Sequence, residues 1–173
     1  KGMKGAILGT GSISNEIARL LKPFGPIIDG YNTKGTAHDD YHQCFPLIEF
    51  DDHARTYDFV IITLPLNEHT KGYFNEDRLL RLSPDCILIN IARGPIIIES
   101  ELIKVLDYHL QAVVLDVFEQ EPLVSESLLW QHPKAYLSSH VSYMNNFYKD
   151  NVSNLIQDNL IRYIKQEDLI NII

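Results

Sequence analysis

Lys4-Gly5-Ala6-Ile7-Leu8-Gly9-Thr10-Gly11-Ser12-Ile13-Ser14 passes from a short apolar run, through a glycine-rich turn, into a pattern with Ile13, Ile17, Leu20 and Leu21 at helical intervals. The first part predicts a strand, and the last predicts a helix over 13–22 with those four residues inward. A turn of this kind between strand and helix suits a diphosphate. Gly9 permits the tight turn and Gly11 lets the backbone come close to the ligand. Ser12 and Ile13 open a helix whose first N–H groups and positive dipole end face an anion. Ser14, at the third small position, still allows close packing of helix on strand. An ordinary βα turn has the same outline, so the motif alone leaves both readings open.

Outward from this turn the apolar period keeps switching. Val/Ile/Leu-rich runs at 26–31, 59–64, 86–91, 112–117 and 134–138 read as further strands, and helical spacing recurs over 75–82 and 99–108. Such alternation defines an α/β chain with a doubly wound parallel sheet covered on both faces. A last helix over 145–164 would carry Val152, Leu155, Ile156, Leu160, Tyr163 and Ile164 on one face. The segment 32–56 is the least patterned, with one short strand candidate at 41–45.

The chain has 173 residues, enough for one domain or one with a small appendage. Its 15 Lys plus Arg against 23 Asp plus Glu give a formal charge of −8, with 45% apolar and 22% charged residues, an ordinary globular balance. Disorder and fibres are excluded. An acidic chain without a basic stripe is not built for nucleic acid or an anionic membrane surface. Cys44 and Cys86 are too few for a disulfide framework or a Cys-rich zinc site, so no metal is expected and a reduced, cytoplasmic setting fits. No apolar run approaches the roughly 18 residues of a membrane span, and no signal architecture heads the chain.

An acidic residue about 20 positions after the glycine turn would normally accept a ribose 2′-OH at the end of the second strand. Asp29 has the separation but falls inside the strand, which ends near Tyr31 and Asn32. With Asn32 at the ribose-reading position there is no carboxylate to repel a 2′-phosphate, and Lys34 would pair with one. Asn32-Thr33-Lys34-Gly35 also reads as a plain polar turn. NAD and NADP both stay open, with a lean to NADP.

Four later segments are more specific: Leu64-Pro65-Leu66-Asn67-Glu68-His69-Thr70, Ile89-Asn90-Ile91-Ala92-Arg93-Gly94-Pro95, Leu115-Asp116-Val117-Phe118-Glu119-Gln120-Glu121-Pro122-Leu123, and Ser138-Ser139-His140-Val141-Ser142. With the glycine turn ahead of them they resemble the nucleotide-binding domain of the D-isomer-specific 2-hydroxyacid dehydrogenases, over essentially the whole chain. The resemblance implies a Rossmann-type domain over 1–144 and a helix and tail over 145–173 that in relatives crosses to a substrate lobe. It also implies NAD or NADP as cofactor, a small 2-oxo or 2-hydroxy acid as substrate, and a homodimer.

On that resemblance, Arg93 would hold the substrate carboxylate and polarise the neighbouring carbonyl, a task suited to a permanently charged planar guanidinium. His140 would be the acid/base for the alkoxide left by hydride delivery, since imidazole titrates near working pH. Glu121 would hydrogen-bond that imidazole, fix its tautomer and favour its protonated form. Asp116 and the backbone near Ala92 would face the nicotinamide carboxamide, and Leu64 and Pro65 would line the adenine-ribose side. Without the resemblance, Arg93 reads equally as a surface ion-pair residue, Asp116 as a buried acid held by loop N–H groups, and Pro65 as a strand terminator.

The chain also departs from the family pattern. Ser138-Ser139-His140 stands where Thr-Pro-His is common, Tyr143-Met144-Asn145 replaces a small-residue turn, Asn67 stands for Thr, and Ser14 for the third Gly. The resemblance implies a substrate lobe ahead of the first strand that these 173 residues are not expected to hold, so cofactor binding with poor turnover is the expectation for the chain alone. The rival reading is a non-catalytic dinucleotide-sensing or oligomerisation module that uses the apolar face of the last helix. A doubly wound domain of another family would make the Arg, Glu and His motifs coincidental.

Overall fold

The computed structural model describes residues 2–144 and 147–171. The chain divides into two compact units, Lys1–His140 and Val141–Ile173.

In the first unit seven strands form one wholly parallel sheet. They are β1 (Lys4–Leu8), β2 (Ile27–Asn32), β3 (Gln43–Pro46), β4 (Phe59–Ile62), β5 (Ile87–Asn90), β6 (Ala112–Leu115) and β7 (Ala135–Leu137), in the order β3-β2-β1-β4-β5-β6-β7. The winding reverses between β1 and β4, which makes the sheet doubly wound with its switch point there. Helices α1 (Ser12–Leu21), α2 (Phe50–His53), α3 (Glu76–Arg81) and α4 (Glu99–Tyr108) lie in the connections. β4, β5 and β6 stop one or two residues before their apolar runs do. Leu64 and Val117 stay buried beyond the strand ends, which is why the runs look longer than the ladders. The candidate at 41–45 is β3, shifted to Gln43–Pro46, with Pro46 on an edge strand where its missing N–H breaks no ladder.

The larger core packs α2, α3 and α4 on one face of the sheet and buries Tyr31, Phe50, Tyr57, Leu79 and Leu106. On the other face Ala18 of α1 clusters with Ile7, Ile28 and Ile61 of the sheet. Here the expected inward face is wrong: Ile13 and Leu20 are 66% and 56% exposed, and the buried residues of α1 are Ser14 and Ala18. Small side chains let the helix come close to the strands, so the contact runs through them, with Ile17 and Leu21 half-buried beside it.

In the second unit α5 spans Tyr148–Lys165 and has no buried residue. Its expected start at Asn145 lies outside the described residues, as do Asn146, Ile172 and Ile173. The helix ends on Gln166 in the left-handed conformation, and the tail folds back along it. Asn159 donates to the Ile170 carbonyl at 3.0 Å and accepts from its N–H at 2.9 Å. Of the expected stripe, Val152, Ile156, Leu160, Tyr163 and Ile164 are exposed and Leu155 is half-buried. Among the described residues no helix is long and apolar enough to cross a membrane.

Candidate functional site

The candidate residues lie at strand ends or in the segments that follow them, along the carboxyl edge of the sheet, where open α/β sheets bind ligands. Gly9 follows β1 with φ +105, and a Cβ there would stand 2.7 Å from Thr63 Oγ1. Gly11 caps α1, with nothing within 4 Å of the place its Cβ would fill. No side chain caps the helix; the Ser14 hydroxyl bonds back to the Gly11 carbonyl at 3.1 Å instead. Exposed Ser12 and Ile13 thus present first-turn N–H groups beside open space, and these features fit a diphosphate.

At the end of β2 the carboxylate suggested by spacing is engaged elsewhere. Asp29 is 2% exposed, pairs with Lys4 Nζ at 3.1 Å and accepts from the Tyr57 hydroxyl at 3.0 Å. Asn32 ends the strand, but its side chain builds the turn rather than reaching outward. Nδ2 donates to the Thr36 carbonyl at 2.8 Å, and Oδ1 accepts from the N–H groups of Lys34 and Thr36 at 3.1 and 2.9 Å. The Asn32 side chain thus shapes a polar turn that displays exposed Thr33 and Lys34. Asn32, Thr33 and Lys34 border a hollow of about 380 Å³ with Thr10, Thr36 and His38, and no carboxylate lines it. His38, held at 3.0 Å from Asn15 Nδ2, was missed because its loop has no periodic pattern.

Asn90, the last residue of β5, explains the NxxRG spacing. It is 1% exposed, accepts from the Ala92 N–H at 3.1 Å and donates to the Arg93 carbonyl at 3.0 Å, which curls the loop and projects Arg93 outward. The Arg93 side chain is exposed and bonds the Ala92 carbonyl at 2.6 Å; among the described residues no carboxylate pairs with it. Gly94 is needed for contact: a Cβ there would lie 1.9 Å from the Phe118 carbonyl carbon and oxygen and 2.5 Å from Glu119 N. The arginine loop thus rests directly on the backbone of the loop that carries Glu121. That second loop is tied to α4, since Glu99 N–H donates to Glu119 at 3.0 Å and Glu119 N–H bonds Glu99 in return.

Main-chain bonds continue past the strand ends. Asp116 N–H donates to the Asn90 carbonyl at 3.0 Å, and the Asp116 carbonyl accepts from His140 N–H at 2.8 Å. Asp116 is 2% exposed, and the Ser138 hydroxyl donates to its Oδ1 at 2.6 Å. His140, at φ 53, donates from Nδ1 to Glu121 Oε2 at 2.7 Å, and the Phe118 N–H bonds Glu121 Oε1 at 3.1 Å. Partial burial pushes the Glu121 carboxyl up, but the bonds from His140 and Phe118 outweigh it and hold it below 4.5. Beside this pair opens a hollow of about 640 Å³ walled by Phe118, Leu123, Trp130 and Leu137.

In the 64–70 loop Leu64 is 6% exposed with its side chain in the core, which leaves its main chain to face a ligand. Pro65 does not end a strand, since β4 stops at Ile62. Its carbonyl accepts from Thr70 Oγ1 at 2.6 Å, while Asn67 Oδ1 accepts from the N–H groups of His69 and Thr70 at 2.9 and 3.1 Å. Asn67 therefore does the turn's work where the family has Thr. Among the described residues no group of three or more His, Cys, Asp and Glu could hold a metal.

A switch-point glycine turn, an uncapped helix start and an Arg, Glu and His set along one sheet edge define a nicotinamide-dinucleotide-binding domain. The chain belongs to the family described as D-isomer specific 2-hydroxyacid dehydrogenase, NAD binding domain, whose model matches residues 1–142. It is 36% identical over 163 residues to a glyoxylate/hydroxypyruvate reductase B of Enterobacter agglomerans, covering 91% of this chain and 50% of that protein. A D-isomer specific 2-hydroxyacid dehydrogenase family protein from Aeromonas salmonicida superposes with a TM-score of 0.92 at 34% identity, over 100% of this chain and 56% of that one. A family member from Xanthobacter autotrophicus Py2, solved with NADPH and MES, gives 0.89 at 29% identity over 98% of this chain and 69% of that one. The chain spans about half the length of the curated relatives it matches.

Proposed function

We propose that this chain is the cofactor half of an enzyme that moves a hydride between NADP(H) and a small 2-oxo or 2-hydroxy acid. The observation that carries the reading is the 2.7 Å His140–Glu121 bond, set on the same sheet edge as an Arg93 that pairs with no carboxylate among the described residues. The nicotinamide, when bound, supplies or accepts the hydride. Arg93 grips the substrate carboxylate through its planar fork. In the reducing direction His140 donates a proton to the substrate oxygen, and in the other direction it takes one back. Glu121, kept ionised, orients the imidazole and offsets its charge while it is protonated. Asp116 and the Ala92 backbone hold the carboxamide end. Gly9, Gly11, Ser12 and Ile13 hold the diphosphate, and the Pro65 backbone borders the ribose.

The lean to NADP is supported by a β2 end that presents Thr33, Lys34 and His38 and no carboxylate. Residues 1–144 are proposed as the binding domain and 145–173 as the segment that meets a substrate lobe. A cytoplasmic homodimer goes with this reading, and the exposed stripe of α5 supports an interface role for that helix.

The test is titration with NADPH and NADH by nicotinamide fluorescence, followed by NADPH oxidation with glyoxylate, hydroxypyruvate and pyruvate in the protein completed by a substrate lobe. NADPH should bind more tightly than NADH. Binding of neither cofactor would sink the proposal, and binding without turnover in the completed protein would favour a non-catalytic sensing module.

A further inference from the structure

We infer that Ser138 is a positioning residue for the nicotinamide half of the cofactor, acting through the Asp116 carboxylate; this rests on the dinucleotide reading above. The backbone of Asp116 is pinned on both sides, by its N–H on the Asn90 carbonyl and its own carbonyl under the His140 N–H. What those bonds leave unset is the rotation of the carboxylate. Ser138 occupies the matching place after β7, with its N–H on the Leu115 carbonyl at 3.0 Å and its Oγ 2.6 Å from Asp116 Oδ1. A hydroxyl donating to a buried carboxylate makes a charge-assisted bond, roughly twice as strong as a neutral one, and it fixes the plane of the acceptor. A carboxamide NH₂ is a donor and a carboxylate is an acceptor only, so an oriented Asp116 is complementary to that end of the dinucleotide in the reading above. The serine at this place, where relatives commonly have threonine, keeps the hydroxyl the geometry uses.

The experiment compares the binding of two ligands by the full chain: NADPH, and 2′-phospho-ADP-ribose, which is the same molecule without its nicotinamide. Wild type should bind NADPH more tightly than the fragment. Ser138→Ala should weaken NADPH roughly tenfold, the worth of one charge-assisted bond, and move the fragment by less than about twofold. Ser138→Thr should restore NADPH affinity, while Ser138→Cys, similar in size but a weak donor, should behave as Ala. The Cys and Thr pair decides the matter if Ser138→Ala does not fold. Equal weakening of both ligands would make the role merely structural and overturn the inference, as would unchanged NADPH binding in the Ala and Cys variants. A wild type that gains nothing from the nicotinamide removes Asp116 as its contact and overturns the inference alone. A wild type that binds neither ligand overturns the dinucleotide reading and the inference with it.

Discussion

Two glycines of the site serve different ends, and replacing each with alanine separates them. At Gly94 the new Cβ would fall 1.9 Å from the carbonyl carbon and oxygen of Phe118, both main-chain atoms that cannot swing aside. Overpacking a core usually costs about 1–3 kcal/mol when side chains can adjust. Here two backbone loops must part, so the cost should reach at least about 3 kcal/mol, the upper end of that range. For a chain of this size each kcal/mol moves the thermal midpoint by about 2–4 °C, so Gly94→Ala should melt roughly 6–12 °C lower. At Gly11 the Cβ meets nothing within 4 Å, and φ −85 suits any residue. Gly11→Ala should shift the midpoint by no more than about 3 °C, the modest cost of a poorer N-cap. Its Cβ would instead enter the space given to the diphosphate and weaken NADPH at least about tenfold, a loss near 1.4 kcal/mol. Melts followed by circular dichroism, with NADPH titrations alongside, read both effects. If Gly94→Ala melts with wild type, the backbone contact between the loops is not there. If Gly11→Ala binds NADPH normally, the glycine turn is not the diphosphate site.

Lys34→Ala should cost NADPH about tenfold in affinity and leave NADH unchanged, because only the former carries a 2′-phosphate; parallel titrations decide, and equal losses would refute the role. Glu121 is held below 4.5, so its bond to His140 is fully present above that pH and is lost as pH falls through the lower folded value. The difference in melting midpoint between wild type and Glu121→Gln should therefore shrink as pH falls from about 5 into stronger acid; growth on acidification over that range would contradict the sign. Burial pushes the Cys86 thiol up to about 12, so a thiol-reactive dye at pH 8 should leave it unlabelled until the protein unfolds, as peptide mapping would show.

Much of the sheet was legible because its signals are local. Lys4–Leu8 and Glu99–Tyr108 have the predicted bounds, since a parallel strand buried on both faces and an amphipathic helix each write their own period. α1 was misread because apolar periodicity points to large residues, whereas close packing selects the small Ser14 and Ala18. Spacing brought the acidic candidate to Asp29, but its partners Lys4 and Tyr57 are joined to it only by the fold. The same holds at the site. Arg93, Glu121 and His140 stood out through their motifs, while the turn role of Asn32, the burial of Leu64, the place of His38 and the bond from Ser138 to Asp116 depend on partners distant in sequence or on loops without a period.

The main-chain bonds that run from Asn90 through Asp116 to His140 carry no information about side chains. A site hung on such a lattice depends on spacing at every main-chain bond. His140 is held from the main chain, by the carbonyl of Asp116, and not by the side chains of the two residues ahead of it. Adding or removing one residue between Asn90 and Arg93, or between Asp116 and Glu121, would displace Arg93 or Glu121 from its place. Along this edge the count is therefore fixed, and the letter with it only where a side chain or its absence shapes a loop, as at Asn90 and Gly94.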